Sequence, residues 1–296
     1  MTAPAPDSPV VLRVAGRPVA RYVIRPELPA RLSPRPYLHP VTTLAGTAVT
    51  ELSPADHTHH LGVGAAVPDV EGHNFWGGRT YVRGRGPTEL DDHGAQWHGS
   101  FQLRDPDGFV EELHWVASGT ELLRERRTVA ATELTSTAWA LDFTFSLTNV
   151  TPRPLSLGSP ATNGRPGATY GGFFWRAAKQ DTAPEVFTAH TRGEAAGHGA
   201  RADWLALTGQ GSPRAAGAAR GGAWTLVFAG ATDATRRDPW FVRAAEYPGV
   251  GSSLASAERL PVPPGETVVR RVVTVVADGR LNRDEAAALV RKAVSQ

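Results

Sequence analysis

The sequence predicts a mainly β fold, a two-sheet antiparallel β-sandwich with one C-terminal helix. Three observations carry that expectation. Short β-branched or alternating runs recur along the chain with turn residues between them, the pattern of two packed sheets. The run Trp139 to Leu147 is apolar at Trp139, Leu141, Phe143, Phe145 and Leu147 and polar or small between them, a period of two. Only the last segment reads as a helix. Asn282 can cap it, Glu285 completes a capping box, and Ala286, Leu289, Val290, Ala293 and Val294 form one apolar stripe. Such a helix is expected to dock on the sandwich edge.

Residues 1–8 read as a flexible tail and residues 9–296 as a single β-sandwich domain. Early strands are expected at Val10 to Val14, Val19 to Ile24, Thr47 to Leu52 and Phe101 to Arg104. The turn Asp105-Pro106-Asp107-Gly108 leads into Val110 to Ala117, and Ser118-Gly119 separates that run from Glu121 to Ala130. Later strands are expected at Val186 to Thr191, Trp224 to Ala229, Phe241 to Glu246 and Thr267 to Ala277. Gly193 to Gly222, rich in Gly and Ala, reads as a long surface loop.

Composition excludes several classes. A chain of 296 residues can bury a sizeable core without staples. With no cysteine, disulfides, iron–sulfur clusters and thiolate metal sites are ruled out. The first eight residues have neither the basic nor the apolar region of a signal peptide. No stretch approaches the roughly 18–20 apolar residues of a spanning helix. A cytoplasmic protein without membrane partners is expected. The net charge of +2, with no basic stripe among aromatics, argues against nucleic acid. Monomer and homodimer stay open. Phosphate-loop, dinucleotide, His-Glu-x-x-His and nucleophile-elbow motifs are missing from the sequence.

The chemistry concentrates in histidine. Of ten histidines, seven lie from His39 to His98, and three of them sit in Asp56-His57-Thr58-His59-His60. Imidazole suits proton transfer near neutral pH and metal ligation. On a strand His57 and His59 would share a face and His60 would take the other; on a loop all three could converge. Gly72-His73-Asn74-Phe75-Trp76-Gly77-Gly78 offers Asn74 and Trp76 as a sugar platform, an amide beside an aromatic ring. Gln96-Trp97-His98-Gly99 repeats the aromatic–imidazole pairing. In Glu121 to Arg127, Glu125 and Arg127 share a strand face with Leu123 and need pairing or a wet cavity. Glu125 is a candidate acid or base, and Arg127 a clamp. Tyr170-Gly171-Gly172-Phe173-Phe174-Trp175-Arg176 supplies Tyr170, Trp175 and Arg176 as further binding candidates.

These pieces, with Arg35-Pro36-Tyr37-Leu38-His39-Pro40, resemble a bacterial family labelled PmoA-like and described as a domain of unknown function, DUF6807. The resemblance runs over roughly residues 10–280. The label suggests a methane monooxygenase subunit, but a membrane oxygenase needs spanning segments and this sequence has none. The resemblance implies instead a sandwich related to the galactose mutarotase superfamily, encoded among sugar-catabolism genes. The expected activity is acid–base chemistry on a sugar or keto sugar, of mutarotase, epimerase, lyase or hydrolase kind. His59, His60 and His98 would be the acids and Glu125 the base. His57, Asn74, Trp76, Arg127, Tyr170, Trp175 and Arg176 would bind substrate. No cofactor is expected, with a divalent metal on His57, His59 and His98 as the first alternative and a non-catalytic sugar-binding module as the second.

Overall fold

The computed structural model describes residues 8–211 and 221–296. The predicted tail, all but Ser8, lies outside them. One antiparallel sheet runs, edge to edge, Val10–Val14, Arg17–Val23, Tyr37–Val41, Val63–Ala66, Gly172–Arg176, Gly249–Ser252 and Trp240–Arg243. The other runs Glu185–Thr188, Trp204–Gln210, Ala223–Gly230, Thr267–Asp278, Ala138–Asn149, Thr120–Thr135, Gly108–Ala117 and Ala95–Asp105. This is the predicted two-sheet sandwich.

The period-two pattern explains the core. Trp139, Leu141, Phe143, Phe145 and Leu147 are all fully buried and point at the seven-stranded sheet. Phe143 meets Phe173 across the interface, ring centres 5.6 Å apart, and Phe228 meets Trp175 at 5.6 Å. Each such side chain contributes about 1.5–3 kcal/mol on leaving water. The two predicted hairpin turns are present, joining Ala95–Asp105 to Gly108–Ala117 and Gly108–Ala117 to Thr120–Thr135.

The helix Arg283–Val294 carries the expected capping box, with Asn282 N donating to Glu285 Oε2 at 2.8 Å and Glu285 N to Asn282 Oδ1 at 3.0 Å. It does not sit on the sandwich edge. Ala286, Val290 and Ala293 pack on Ala140, Val227 and Val275, the outward side chains of central strands of the eight-stranded sheet. Those small apolar residues would otherwise form an exposed patch. Two further expectations change. The stretch Gly193 to Gly222 contains the strand Trp204–Gln210, buried but for its last residue; with both faces covered it lacks alternation. Its residues 212–220 lie outside the described part. Thr47 to Leu52 forms only the isolated bridges Thr42–Ala48 and Leu52–Leu61. Among the described residues no helix is long and apolar enough to cross a membrane.

Candidate active site

The strand Gly172–Arg176 divides the aromatic patch between two faces. Phe173 and Trp175 point into the core, and Phe174 and Arg176 point to the outer face of the seven-stranded sheet. In register, Phe174 lies opposite Gly251 and Gly251 opposite Phe241, while Gly249 lies between Arg176 and Arg243. The outer face thus carries an aromatic row followed by an arginine row. Glycines between them leave room for large side chains above the sheet.

The histidines sit on a loop over that face. The bridge Leu52–Leu61 closes it, and turns bond His57 N to Pro54 O at 2.9 Å and His60 N to His57 O at 2.9 Å. Its base is clamped to the sheet. Glu51 Oε2 accepts from Arg176 Nε at 3.0 Å and Nη2 at 2.8 Å, and Glu51 N donates to Arg176 O at 3.0 Å. A loop has no strict two-sided alternation, so all three rings converge. His57 stacks on His60 with centres 4.7 Å apart, and His59 meets His60 edge-on at 4.7 Å. Tyr247 lies 4.6 Å from His57 and 5.2 Å from His60.

Gly77 and Gly78 let His59 in. Both have positive φ, +96° and +71°, where glycine is the natural residue. A Cβ on Gly78 would come 2.8 Å from His59 Nδ1, and one on Gly77 would meet Leu32 O at 2.6 Å. Asn74 shapes this turn. Its Oδ1 accepts from Trp76 N and Gly77 N, each at 2.8 Å, and its Nδ2 donates to Thr80 Oγ1 at 2.9 Å. His93 Nε2 donates to Gly78 O at 2.7 Å from behind.

The result is a cavity of about 540 Å³. Its imidazoles are His57, His59 and His60, and its aromatic wall is Trp76, Tyr170, Phe241 and Tyr247. Trp76 and Tyr170 lie 4.6 Å apart, ring to ring. His57 Nδ1 is 3.2 Å from Asp56 Oδ2; this nitrogen and His60 Nδ1 are buried, and neither makes a regular hydrogen bond. Burial, then the charge of Arg35 and its neighbours, pushes the His59 imidazole down to about 3. Burial holds His60 well below the ordinary histidine range. Both rings are therefore neutral at pH 7. Burial pushes the Tyr247 and Tyr170 hydroxyls up, so both keep their protons.

Not every predicted residue reaches this cavity. Asn74 spends its amide on the turn. Trp175 is buried in the core and donates from Nε1 to Val49 O at 3.0 Å. Arg176 lies under the cavity, its guanidinium 4.8 Å from the Tyr247 ring centre. Glu125, Arg127 and His98 are elsewhere, inside the sandwich. Arg127 grips Glu125 with Nε at 2.7 Å and Nη2 at 2.9 Å, and Trp115 Nε1 donates to Glu125 at 2.8 Å. Arg127 Nη1 donates to Tyr22 Oη at 3.0 Å, and Tyr22 donates to Glu111. His98 Nδ1 donates to the other Glu111 oxygen at 2.6 Å. The metal trio His57, His59 and His98 is therefore not brought together, and no group of three or more His, Asp or Glu among the described residues is disposed to hold a metal ion.

Tyr247, Phe241, Arg31, Arg79, Arg165 and Arg243 also line the cavity, and the sequence does not single them out. Lone arginines in an arginine-rich chain carry no signal. Tyr247 sits in Glu246-Tyr247-Pro248-Gly249, which reads as an ordinary turn.

Fold and site together define a β-sandwich protein with an imidazole- and aromatic-lined cavity on its outer face. Residues 9–291 match the model of a family of unknown function, DUF6807, and the chain belongs to that family. No curated protein matches it. Among solved structures it is similar to a polysaccharide lyase at a TM-score of 0.38 and 12% identity, over 93% of this chain and 35% of that one. It is also similar to the galactosidase domain of an alpha-galactosidase–sucrose kinase, at 0.34 and 7%, over 80% of this chain and 32% of that one. The chain thus spans about a third of the length of each.

Proposed function

We propose that this cavity binds a sugar and moves protons on it, making the chain a carbohydrate-active enzyme of the mutarotase, epimerase or lyase kind. The observation that carries the reading is the convergence of three imidazoles on an aromatic wall that includes two tyrosines, around a cavity of about 540 Å³. Trp76 and Tyr170 would take the apolar C–H face of a pyranose. His57, beside the Asp56 carboxylate, would accept a proton from a sugar hydroxyl or carbon. Tyr247, kept protonated by burial, would return one to the ring or leaving oxygen. In ring opening the anomeric hydroxyl proton goes to His57, the C1–ring-oxygen bond breaks, and the ring oxygen takes the Tyr247 proton. Reclosure on the other face reverses both transfers. The neutral His59 and His60 would orient hydroxyls as hydrogen-bond partners.

This assigns the base to His57 instead of Glu125, whose carboxylate is spent on Arg127 and Trp115. The test is a panel of monosaccharides, keto sugars and disaccharides added to the full chain and followed by NMR. Saturation transfer to a ring, kept in His57→Ala, and anomer exchange or product formation, lost in it, are the expected result. A panel in which no sugar binds at millimolar concentration rejects the reading.

A further inference from the structure

Resting on the sugar reading above, we infer that the preferred ligand is an acidic sugar, one whose ring carries a carboxylate or another anionic substituent. The arrangement of arginines carries this. Arg31, Arg79, Arg165 and Arg243 line the cavity, against Asp56, Glu89 and Glu246. Arg79 is paired with Glu89 at 3.0 Å. The Arg31 side chain has no hydrogen bond or ion pair among the described residues, so it meets the cavity as a free cation.

Beneath the cavity floor the same sign is built in at a cost. Arg35 is buried, yet its guanidinium touches only carbonyl oxygens: His59 O at 2.7 Å, Ser33 O at 2.9 Å and Leu32 O at 3.1 Å. A buried cation without a carboxylate is unfavourable by itself. Here it is welded to the backbone of the histidine loop. Arg176, also buried, is paired with Glu51 at 2.8 Å but keeps one nitrogen, Nη1, without a partner. Arg176 and Arg243 flank Gly249 on the sheet face under the site. The uncompensated positive charge of Arg31 and Arg35 at the cavity raises the local concentration of the opposite sign. The planar guanidinium fork matches a carboxylate. The His59 and His60 imidazoles, neutral through burial, add donors without adding charge.

The experiment is calorimetric titration of the full chain with glucuronate and galacturonate, with the neutral parents glucose and galactose, and with galactose 6-sulfate. Each is run at low and high salt, on wild type and on Arg31→Ala. The Arg31 side chain is exposed and makes no hydrogen bond or ion pair among the described residues, so its loss leaves the fold intact. A uronate bound about tenfold or more tighter than its neutral parent is expected, the gap shrinking in high salt and in the variant. The sulfated sugar, bound as well as the uronates, would identify charge as the feature read; bound less well, it would identify carboxylate geometry. Neutral sugars bound as tightly as uronates would overturn the inference and leave the sugar reading standing. No binding by any of the five would remove both. A uronate preference untouched by salt and by Arg31→Ala would also overturn it.

Discussion

Two regions of this molecule gather charged and imidazole side chains, and they end differently. Inside the sandwich, Arg127, Glu125, Glu111, Tyr22, Gln96 and His98 form a network that ties the two sheets together. Every donor of Arg127 is used, and both oxygens of Glu125 and Glu111 have partners. Above the outer face of the seven-stranded sheet, His57 and His60 keep buried nitrogens without partners, and Arg176 keeps one beneath them. Buried polar groups normally find partners, and those that do not call for an explanation. A closed network spends its polarity on the fold. An open one leaves it unspent. Arg35 joins the two regions: it holds the His59 carbonyl, and burial with the like charge of Arg127 lowers its guanidinium to about 9.

The comparison can be broken most sharply from the closed side. Arg127→Ala leaves the buried Glu125 carboxyl without its ion-pair partner and should cost about 3–5 kcal/mol, lowering Tm by about 5–8 °C. A calorimetric Tm within a degree or two of wild type would show that the network is not structural. On the open side the balance reverses. His57→Ala should reduce sugar turnover by about 10²–10⁴-fold with little change in Tm. Activity kept at the wild-type rate would remove His57 from the chemistry.

Gly78→Ala tests how tightly the site is built. It forces a left-handed residue to carry a Cβ against the His59 ring and should cost about 1–3 kcal/mol. An unchanged thermal unfolding curve would mean the turn is free to move. The smallest effect concerns pH. His59 sits near 6.5 unfolded and about 3 folded, so the unfolded chain takes the proton first. Its contribution is full above pH 6.5 and is lost as pH falls from 6.5 toward 3, reaching about 2 kcal/mol at pH 5. Thermal melts at pH 7 and pH 5 should therefore converge in His59→Gln, part of the loss remaining through His60. Equal acid loss in variant and wild type would contradict a neutral, buried His59.

The sandwich is legible in the sequence because Trp139 to Leu147 and the hairpin turns are local signals. So is the helix, through Asn282 and Glu285, though not its resting place, which depends on outward small residues of strands distant in sequence. The site is legible in part. His57, His59 and His60 advertise themselves by clustering, and Trp76 and Tyr170 by their aromatic company. Glu125 and Arg127 misdirect because a charged pair on a core face looks the same in sequence whether it meets a cavity or a partner. Tyr247 and Phe241 arrive from the far end of the chain, where the register with Gly251 and Gly249 brings them across from the histidine loop. Nothing in the linear order announces that meeting.

The central claim is that function belongs to the open cluster and not to the closed one. Proton–nitrogen NMR of the histidine rings during titration with the sugar panel tests it directly. The account predicts shifts at His57, His59 and His60 with the ring of His98, on Glu111, unmoved. Shifts confined to His98, or none at the three loop histidines while a sugar is demonstrably bound, would contradict it.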